Sequence, residues 1–498
     1  MAYILNHSLL LITWTQTPRV SRRNKDQLRD LLRSVGFYPH DRRLAFPVLF
    51  AVGTQLYFFL TITLDSTRPP MAPDAGIFQH LGWYLTRGGR LYVDAWEPKL
   101  PLSYETTEIL ALLSGGDMYR LHLFSVILMS GAVCAIVGLV VRLVYDITGD
   151  DIAAPLAGLS MFLLPGFAVR PAYGFKAKYL LVLCGLLAIY LYTRGYPALS
   201  GVAAAASVGY WQAGAIFPLI VVGLAIQRRD ARALERVVAG GLGFTVVMLL
   251  PVFLVWHSAS EMVVQALLVP LQTEEHASLL ARLVAGVVHF KWAAPFVLLG
   301  GLGLAHTARC CLTDTDGAVG RTEWWIPVGA VWFAFLILFV DFETGGYTDL
   351  IPGLAFVAIG IGMVATVLRD RQQAQYLCVA LALVLVVNVA VLGSVGVVFT
   401  PVATPGPVPM SDLETHDLPA AYGEAEPVPD VRYIYWQQIE PATCHYRLSV
   451  MELRWLDRVD SSVDRRCLDF GTARARLGNG QPVTTLWSRS QRVTSASF

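Results

Sequence analysis

Residues 73–104 combine charged, aromatic and turn-forming side chains in the manner of a reactive site. The segment holds three carboxylates, three cations and six aromatic rings, and its charged members are Asp74, Asp94, Glu97, Arg87, Arg90 and Lys99. A carboxylate can act as a general base that takes the proton of a hydroxyl nucleophile. Fixed Arg and Lys side chains can stabilise negative charge that develops on a leaving group. The segment therefore predicts a transfer reaction that uses one base and nearby cations.

Asp74 is open to two interpretations. It follows Pro73 and opens a predicted helix with an apolar face formed by Ile77, Leu81, Tyr84 and Leu85. Asp is a common N-cap, because its side-chain oxygen accepts a hydrogen bond from a free backbone amide. The functional interpretation places the same carboxylate beneath the helix, at a membrane surface, as a general base.

The composition indicates a membrane protein. Of the 498 residues, 55% are hydrophobic and only 15% are charged, and the mean hydropathy is +0.52. Soluble domains carry about 25% charged residues. The net charge is +1 and no basic cluster is interleaved with aromatic residues, so nucleic acid is excluded as a partner. Walker, Rossmann and HExxH motifs are absent from the sequence, which argues against ATP-driven transport and soluble-cofactor redox chemistry.

Apolar runs predict about 11 membrane spans, each needing roughly 20 residues. The runs are 44–64, 121–141, 152–169, 177–192, 202–226, 237–256, 293–310, 324–340, 350–368 and 376–399. The run at 202–226 is predicted to be two short spans around Gly209–Gln212. With that split, the basic arm before residue 44 and the basic loops fall on the cytoplasmic side. The N-terminus is then cytoplasmic and the C-terminus lies outside.

The expected fold is an all-α polytopic membrane protein with a small extracytoplasmic α/β domain at its C-terminus. The predicted divisions are a cytoplasmic arm at 1–43, a transmembrane domain at 44–399 and an outer domain at 400–498. Outer loops at 65–117 and 257–292 are predicted to carry amphipathic helices on the membrane surface. The alternation at 431–436 predicts a strand. Cys444 and Cys467 are candidates for a disulfide, with two free thiols as the alternative.

The first outer loop resembles the opening of the GT-C glycosyltransferases. The resemblance rests on Asp74 after the first span, on residues 89–104 and on Tyr119-Arg120 at the next span. It is nearest to the dolichol-phosphate-mannose and aminoarabinose transferase branch, and within it to haloarchaeal dolichol-phosphate-mannose mannosyltransferases. The family's Lys-Pro-Pro-Leu-x-Tyr-like element reads Lys99-Leu-Pro101-Leu-Ser-Tyr104 here, and Ala75 stands where a second acid is often found.

The resemblance implies transfer of mannose from a dolichyl- or polyprenyl-phosphate donor to a glycan or protein acceptor on the outer face of the plasma membrane. It implies an inverting displacement with Asp74 as base. The residues expected to contact the donor or its phosphate are Lys99, Arg120, Arg90, Lys176, Tyr104 and Tyr347, with Arg170 and Lys178 as further cations of the same side. Alternatively, such cations only anchor span ends to lipid headgroups.

Asp94 and Glu97 are possible second carboxylates. With Asp74 they could hold a divalent metal, but neither a metal nor another cofactor is predicted. The alternatives for the whole chain are the same chemistry with another sugar or a lipid acceptor, a lipid-sugar flippase or transporter, and a scaffold for a glycosylation complex. A transporter should bury ionisable residues near the middle of the membrane, whereas the charges of this sequence cluster at the predicted outer ends of spans.

Overall fold

The structure is a computed structural model of the chain. It describes residues 42–95, 97–268, 270, 278–313, 321–340, 347–368 and 371–394, and short stretches at 407–408, 428–429, 431–436 and 438. All but the last two residues of the predicted arm at 1–43, most of the predicted outer domain, and Cys444 and Cys467 lie outside the described residues. The predicted domain boundaries and the disulfide therefore stay predictions.

The described chain is mostly helical. Its α-helices are α1 (Arg42–Phe58), α2 (Pro73–Leu85), α3 (Leu102–Ser114), α4 (Met118–Thr148), α5 (Ala153–Ser160), α6 (Pro165–Val169), α7 (Ala177–Thr193), α8 (Pro197–Tyr210), α9 (Ile216–Gln227), α10 (Ala231–Leu254), α11 (Ala259–Met262), α12 (Leu279–Phe290), α13 (Ala294–Thr313), α14 (Trp325–Phe335), α15 (Ile351–Val367), α16 (Arg371–Ser394) and α17 (Val431–Trp436). Short 3-10 or π-helical segments are Phe59–Thr63, Met161–Leu163, Arg170–Tyr173, Gln212–Ala215, Val263–Leu268, Lys291–Ala293, Arg321–Trp324, Leu336–Val340 and Tyr347–Leu350. Two antiparallel strands, β1 (Pro407–Val408) and β2 (Val428–Pro429), complete the described elements.

Several helices are long and apolar enough to cross a membrane. In the described residues, five helical segments meet this test: Leu44–Thr63, Met118–Thr148, Ala231–Leu254, Leu279–Thr313 and Tyr347–Val367. A sixth span results if the bent pair Ala153–Leu163 and Pro165–Tyr173 is counted as one, and shorter apolar helices accompany these spans. The multi-pass architecture is thus confirmed, while the total of eleven spans stays a prediction.

Two of the apolar runs are interrupted. The run at 202–226 breaks at Trp211, where the backbone is extended between α8 and α9, so the predicted division of this run is present. The run at 152–169 was expected to be continuous, but the chain bends by 87° between Leu163 and Pro165. Proline cannot continue the hydrogen-bond ladder of the preceding helix. The bend directs the following segment, Arg170–Tyr173, toward the loop that contains Asp74.

The helix that carries Asp74 is more deeply packed than the sequence predicts. An amphipathic helix lying on the surface was expected, and α2 does begin at Pro73, as proline favours the first helical position. However, Phe78, Leu81 and Trp83 are buried on several sides of α2. The helix packs against α3 and α17 as well as α4. The expectation of a surface helix is therefore wrong for α2.

The second outer loop contains the expected amphipathic helix. In α12, the exposed side is a row of apolar residues that includes Leu280, Val284 and Val287. On the opposite side Arg282 is buried and donates a hydrogen bond to the carbonyl of Leu338 at 3.0 Å. A helix of this kind is suited to the boundary between lipid and water.

The tail residues 431–436 form helix α17, so the strand predicted there is wrong. Alternation of residue types favours a strand only where one face of a sheet is buried. In α17, Tyr435 is instead buried against α2 and α4. This short helix brings the tail into contact with the first outer loop.

Small residues allow close packing of the spans. A Cβ atom placed on Gly303 of α13 would lie 1.9 Å from the carbonyl oxygen of Gly360 in α15. Small residues at helix contacts let membrane helices approach closely. The pair α13 and α15 therefore forms a tight unit beside the core, to which α4, α5, α7 and α15 contribute many fully buried side chains.

Candidate active site

Asp74 lies between two cations. Its Oδ1 accepts from Nη2 of Arg170 at 2.5 Å, and its Oδ2 forms an ion pair with Nζ of Lys176. Arg170 is almost completely buried, with 2% of its side chain exposed, whereas 32% of the Asp74 side chain is accessible. The carboxylate therefore faces an opening while the guanidinium behind it is fixed in the protein.

The backbone around Gly174 holds Arg170 in place. Nη1 of Arg170 donates to the carbonyl of Gly174 at 3.1 Å, and Nη2 donates to the carbonyl of Phe175 at 3.4 Å. Gly174 has a φ of +99°, a conformation that side chains with a Cβ rarely adopt. The tight turn thus places both Arg170 and Lys176 on Asp74.

The two cations set the pKa of Asp74. Burial by itself raises the pKa of a carboxyl group, but the charges and hydrogen bonds of Arg170 and Lys176 outweigh it and hold the pKa of Asp74 well below its usual range. While both ion pairs are present, Asp74 is ionised but is a weak proton acceptor. It becomes a stronger base when the cations are drawn away from it.

Asp74 is not the N-cap of α2. The N-cap position is Ala72, which makes no side-chain capping bond, and Asp74 is the second residue of the helix. Its Oδ1 accepts from the amide of Ala75 at 3.0 Å. The negative charge also suits the first turn of a helix, where free amides point outward.

Tyr347 is adjacent to this group. The ring of Tyr347 packs on Gly166 so closely that a Cβ there would lie 2.0 Å from a ring carbon. Its hydroxyl is buried and has no hydrogen-bond partner within the part of the chain that the structure describes. The hydroxyl interacts electrostatically with Arg170 and Asp74. It is a hydrogen-bonding group that the described residues leave unused.

A second cationic group surrounds Trp211, at the break between α8 and α9. Nζ of Lys178 lies 4.4 Å from the centre of the Trp211 ring, and Nζ of Lys99 lies 5.5 Å from it. Ammonium groups at such distances are attracted by the aromatic ring. Lys178 also forms a buried ion pair with Asp349. The break at Trp211 thus gathers cations from the first outer loop and from α7.

Lys99 is linked to both groups. Its ammonium lies 3.2 Å from Oε2 of Glu97 and 5.1 Å from the ring centre of Phe78. Phe78 in turn packs on Phe175, the neighbour of Lys176, at 5.2 Å between ring centres. Gln265, from the second outer loop, accepts from the amide of Glu97 at 3.1 Å. The two outer loops therefore meet at the site.

The other predicted site residues have different surroundings. Arg90 and Asp94 form an ion pair with each other at 3.1 Å. Tyr104 is fully buried and stacks on Phe78 at 5.4 Å between ring centres. Arg120 is exposed, and its amide donates to the side chain of Asp117, which is the N-cap of α4. The structure thus places Lys176, Lys99 and Tyr347 at or beside the Asp74 group, Tyr104 one ring behind it, and Arg90 in a separate ion pair.

The sequence does not single out Arg170 among the cations predicted on the outer side. The structure brings Arg170 into direct contact with Asp74. The useful signal was its position between a proline bend and a glycine turn within an apolar region. Among the described residues, no group of three or more His, Cys, Asp or Glu side chains is arranged to hold a metal ion.

Comparisons with known proteins identify the family of this chain. A family model described as "DolP-mannose mannosyltransferase" matches residues 88–250, a range that includes Lys99, Arg170, Lys176 and Trp211. The chain is 31% identical over 449 residues to the dolichol phosphate-mannose mannosyltransferase of Haloferax volcanii, and the match covers 84% of this chain and 95% of the relative. The chain belongs to the dolichol-phosphate-mannose mannosyltransferase family. The family resemblance inferred from the first outer loop, and the prediction that the chain is an enzyme of this kind, are confirmed at the level of the family.

Two solved structures are also similar. ArnT from Cupriavidus metallidurans bound to undecaprenyl phosphate aligns with a TM-score of 0.47 and 13% identity, over 90% of this chain and 75% of that chain. The same protein in the apo state aligns with a TM-score of 0.45 and 14% identity, over 89% and 74%.

Proposed function

We propose that this member of the dolichol-phosphate-mannose mannosyltransferase family transfers mannose from a dolichyl- or other polyprenyl-phosphate donor to a glycan or glycoprotein outside the membrane. The observation that carries the proposal is the partly accessible carboxylate of Asp74 between Arg170 and Lys176. A lipid-phosphate sugar needs cations for its phosphate and a base for the acceptor hydroxyl. This site offers both within a few ångströms.

The same ion pairs suggest how the base is activated. The donor phosphate competes with Asp74 for Arg170 and Lys176, and Arg matches phosphate oxygens in a bidentate geometry. When the cations turn to the phosphate, Asp74 loses the charges that lower its pKa, while its burial still raises that pKa. Donor binding thereby makes Asp74 a better base at the moment when one is needed.

The transfer step then needs no further acid. The acceptor hydroxyl gives its proton to Asp74 and its oxygen forms a bond to the anomeric carbon of the sugar. The bond from that carbon to the phosphate oxygen breaks, and the electron pair leaves with the lipid phosphate, whose charge Arg170 and Lys176 stabilise. Attack from the face opposite the phosphate inverts the anomeric configuration.

We assign supporting roles to the residues around this centre. Tyr347 donates its hydroxyl to the donor phosphate or sugar, since that group is buried and free within the described residues. Lys99 and Lys178 pack on Trp211 and are each paired with a carboxylate, so they reach a phosphate only by leaving those ion pairs. Tyr104 supports Phe78 by stacking. Arg90 and Arg120 have surroundings that favour structural roles, in an ion pair with Asp94 and at an exposed helix start.

The placement of charges supports a site on the outer face. Helix α7 begins beside Lys176 and Lys178 and ends at Arg194, which pairs with Asp146 at 2.6 Å. Its 17 residues correspond to about 25 Å, so Arg194 marks the opposite side of the bundle. Arg228 and Arg229 follow α9 in an exposed loop. An excess of Arg in short loops is typical of the cytoplasmic side. This pattern supports a position of the Asp74 group at the outer face of the cell membrane.

Family membership favours transfer over the other functions considered from the sequence. A transporter or a scaffold has no need for a base held between two phosphate-binding cations. Transfer of another sugar, or transfer to a lipid acceptor, uses the same centre and remains the alternative within the enzyme class. The acceptor we propose is an N-linked glycan of the cell envelope, as in an archaeal surface layer.

The test is mannose transfer by purified full-length protein in liposomes. The donor is radiolabelled dolichyl-phosphate mannose, and the acceptor is the envelope glycan fraction of a Haloferax volcanii strain that lacks its own related enzyme. Asp74→Asn should reduce transfer by about a thousandfold or more, as loss of a general base commonly does together with altered charge. Binding of dolichyl phosphate should persist.

Asp94→Asn is the matched control, because it makes the same chemical change in the same loop at the Arg90 ion pair. It should retain most of the transfer activity. Near-normal turnover by Asp74→Asn would exclude Asp74 as the base. Equal losses in both variants would mean that the loop needs its charges only to fold.

A further inference from the structure

The C-terminal tail contacts the helix that carries Asp74. Tyr435 of α17 is completely buried, and its hydroxyl donates to the carbonyl of Met118 at 2.5 Å. The same hydroxyl lies 3.4 Å from Oε1 of Gln79. Gln79 belongs to α2, five residues after Asp74 in the chain. One tail side chain is therefore hydrogen-bonded to both α2 and the start of α4.

A second tail residue makes a parallel contact. The ring of Trp436 lies 5.9 Å from that of His122 in α4. His122 is fully buried, and neither of its ring nitrogens has a hydrogen-bond partner within the described residues. Within the described residues the ring is held by packing, with Trp436 on one of its sides, and it also interacts electrostatically with Arg170.

Both contacts lead to Gly174. A Cβ atom on Gly174 would lie 2.5 Å from Nε2 of Gln79 and 3.2 Å from Cε1 of His122, so these two side chains fill the space behind the turn. The carbonyl of Gly174 accepts the hydrogen bond from Arg170. The turn that aims Arg170 at Asp74 is thus supported from behind by two residues that the tail contacts.

We infer that α17 completes the active site and that Tyr435 is a positioning residue, which fixes Arg170 against Asp74 through Gln79 and Gly174. This inference rests on the proposed function for the roles of Asp74 and Arg170. Tyr435 touches neither substrate nor the reacting atoms. Its effect arises because displacement of catalytic groups by about 1 Å can cost about a hundredfold in rate.

The tail also has an attachment that does not involve α2. Nε2 of Gln438 donates to the carbonyl of Gly116 at 3.1 Å, in an exposed position. Loss of that exposed bond should leave the buried contacts of Tyr435 with Gln79 and Met118 in place. Gln438 therefore separates attachment of the tail from positioning of Arg170.

The experiment compares full-length variants in liposomes with dolichyl-phosphate mannose as donor. Tyr435→Phe keeps the ring and removes the hydroxyl, and it should lower kcat by about tenfold. Gln79→Leu changes the same contact from the α2 side and should have a similar effect. The double variant should be no worse than the more affected single variant, because residues that act through one contact are not additive.

The pH profile provides a readout that general loss of stability would not move. The charged and titratable groups around Asp74 and Arg170 are Lys176, Tyr179, Tyr347 and His122, and the variants change none of them. A looser contact with Arg170 lets the pKa of Asp74 rise, so the acid limb of kcat/KM should move to higher pH. Gln438→Ala, and Tyr196→Phe at a position that is 41% exposed, should keep the wild-type rate and profile.

Hydrogen exchange separates this inference from the proposed function. Amides of residues 170–176 should exchange faster in Tyr435→Phe and Gln79→Leu than in the wild type, whether or not mannose is transferred. If the wild-type protein transfers no mannose but exchange still accelerates in the two variants, the proposed function is wrong. The inference that the tail supports the turn at Gly174 is then upheld. Unchanged exchange and unchanged kinetics in both variants would overturn the inference, and Gln79→Leu decides if Tyr435→Phe does not fold.

Discussion

At the scale of single residues, the proposed base is also the counter-ion of two buried or partly buried cations. A carboxylate that serves both purposes cannot be strongly basic in the free enzyme, since Arg170 and Lys176 hold its pKa down. Its negative charge also reduces the repulsion between the two cations before a donor binds. The resting ion pairs are thus compatible with catalysis only if the donor phosphate takes over the cations.

This arrangement predicts the pH dependence. The acid limb of kcat/KM reports groups of the free enzyme and should lie below the ordinary Asp value of 3.8, so little activity is lost down to about pH 4.5. The acid limb of kcat reports the donor complex and should lie at higher pH, because the cations then pair with phosphate. Steady-state kinetics between about pH 4 and 8 would measure the acid limb of kcat and would show that kcat/KM has no acid limb in this range.

Arg170→Gln removes one of the charges that lower the pKa of Asp74. The pKa of Asp74 then rises, because burial raises it and less positive charge opposes that rise. The acid limb of kcat/KM should therefore move to higher pH, into the measured range. Arg120→Gln is the matched control, because Arg120 is exposed at the start of α4 and should leave the profile unchanged. An acid limb near pH 6 in wild-type kcat/KM would contradict a paired Asp74 as the base.

At the scale of elements, the bent segment α5–α6 connects the membrane core to the site through Gly166 and Tyr347. Gly166→Ala would place a methyl group in the Tyr347 ring, so the ring must move away from Arg170 and Asp74. We expect the rate of mannose transfer to fall by about tenfold or more. Gly131→Ala in α4, where nothing lies within 4 Å, should be neutral. Equal activities of the two variants would show that Tyr347 makes no contribution.

The elements also show what the sequence could and could not predict. The apolar runs and the break at Trp211 could be predicted from the sequence, because span length and helix-breaking residues act locally. The charged loop could be predicted as a functional site, because charged side chains next to a membrane cost free energy and are commonly functional. The pairing of Asp74 with Arg170, 96 residues later in the chain, could not be predicted. It depends on the bend at Pro165 and on the turn at Gly174.

The tail illustrates the same limit more strongly. Residues 431–436 alternate in type and predict a strand, but the buried partner that decides their conformation is α2, more than 340 residues earlier in the chain. Tertiary contacts override short-range patterns of this length. The described helix α17 packs against α2 and the start of α4, and so contacts the first outer loop.

At the scale of the whole molecule, the bundle depends on close helix contacts as well as on apolar burial. Gly303→Ala forces a methyl group against the carbonyl of Gly360, so α13 and α15 must separate. Overpacking of this kind costs about 1–3 kcal/mol, and Tm of the purified protein in detergent should fall. Gly301→Ala in the same helix has no atom within 4 Å and should leave Tm unchanged. Equal Tm values would mean that the two spans do not pack as described.

The orientation of the molecule decides whether a lipid-phosphate sugar can reach Asp74 from outside. Thr67 lies in the exposed loop before α2, and Arg229 lies in the exposed loop after α9, at the opposite side by the placement of charges. In a cysteine-free background, Thr67→Cys should react with an impermeant maleimide added to intact cells, because the proposed orientation has the site facing outward. Arg229→Cys should react only after the cells are opened, since Arg-rich loops stay in the cytoplasm. The reverse labelling pattern would place Asp74 in the cytoplasm, where outward-facing acceptors are absent, and the proposed acceptor would then be wrong even if mannose transfer itself were observed.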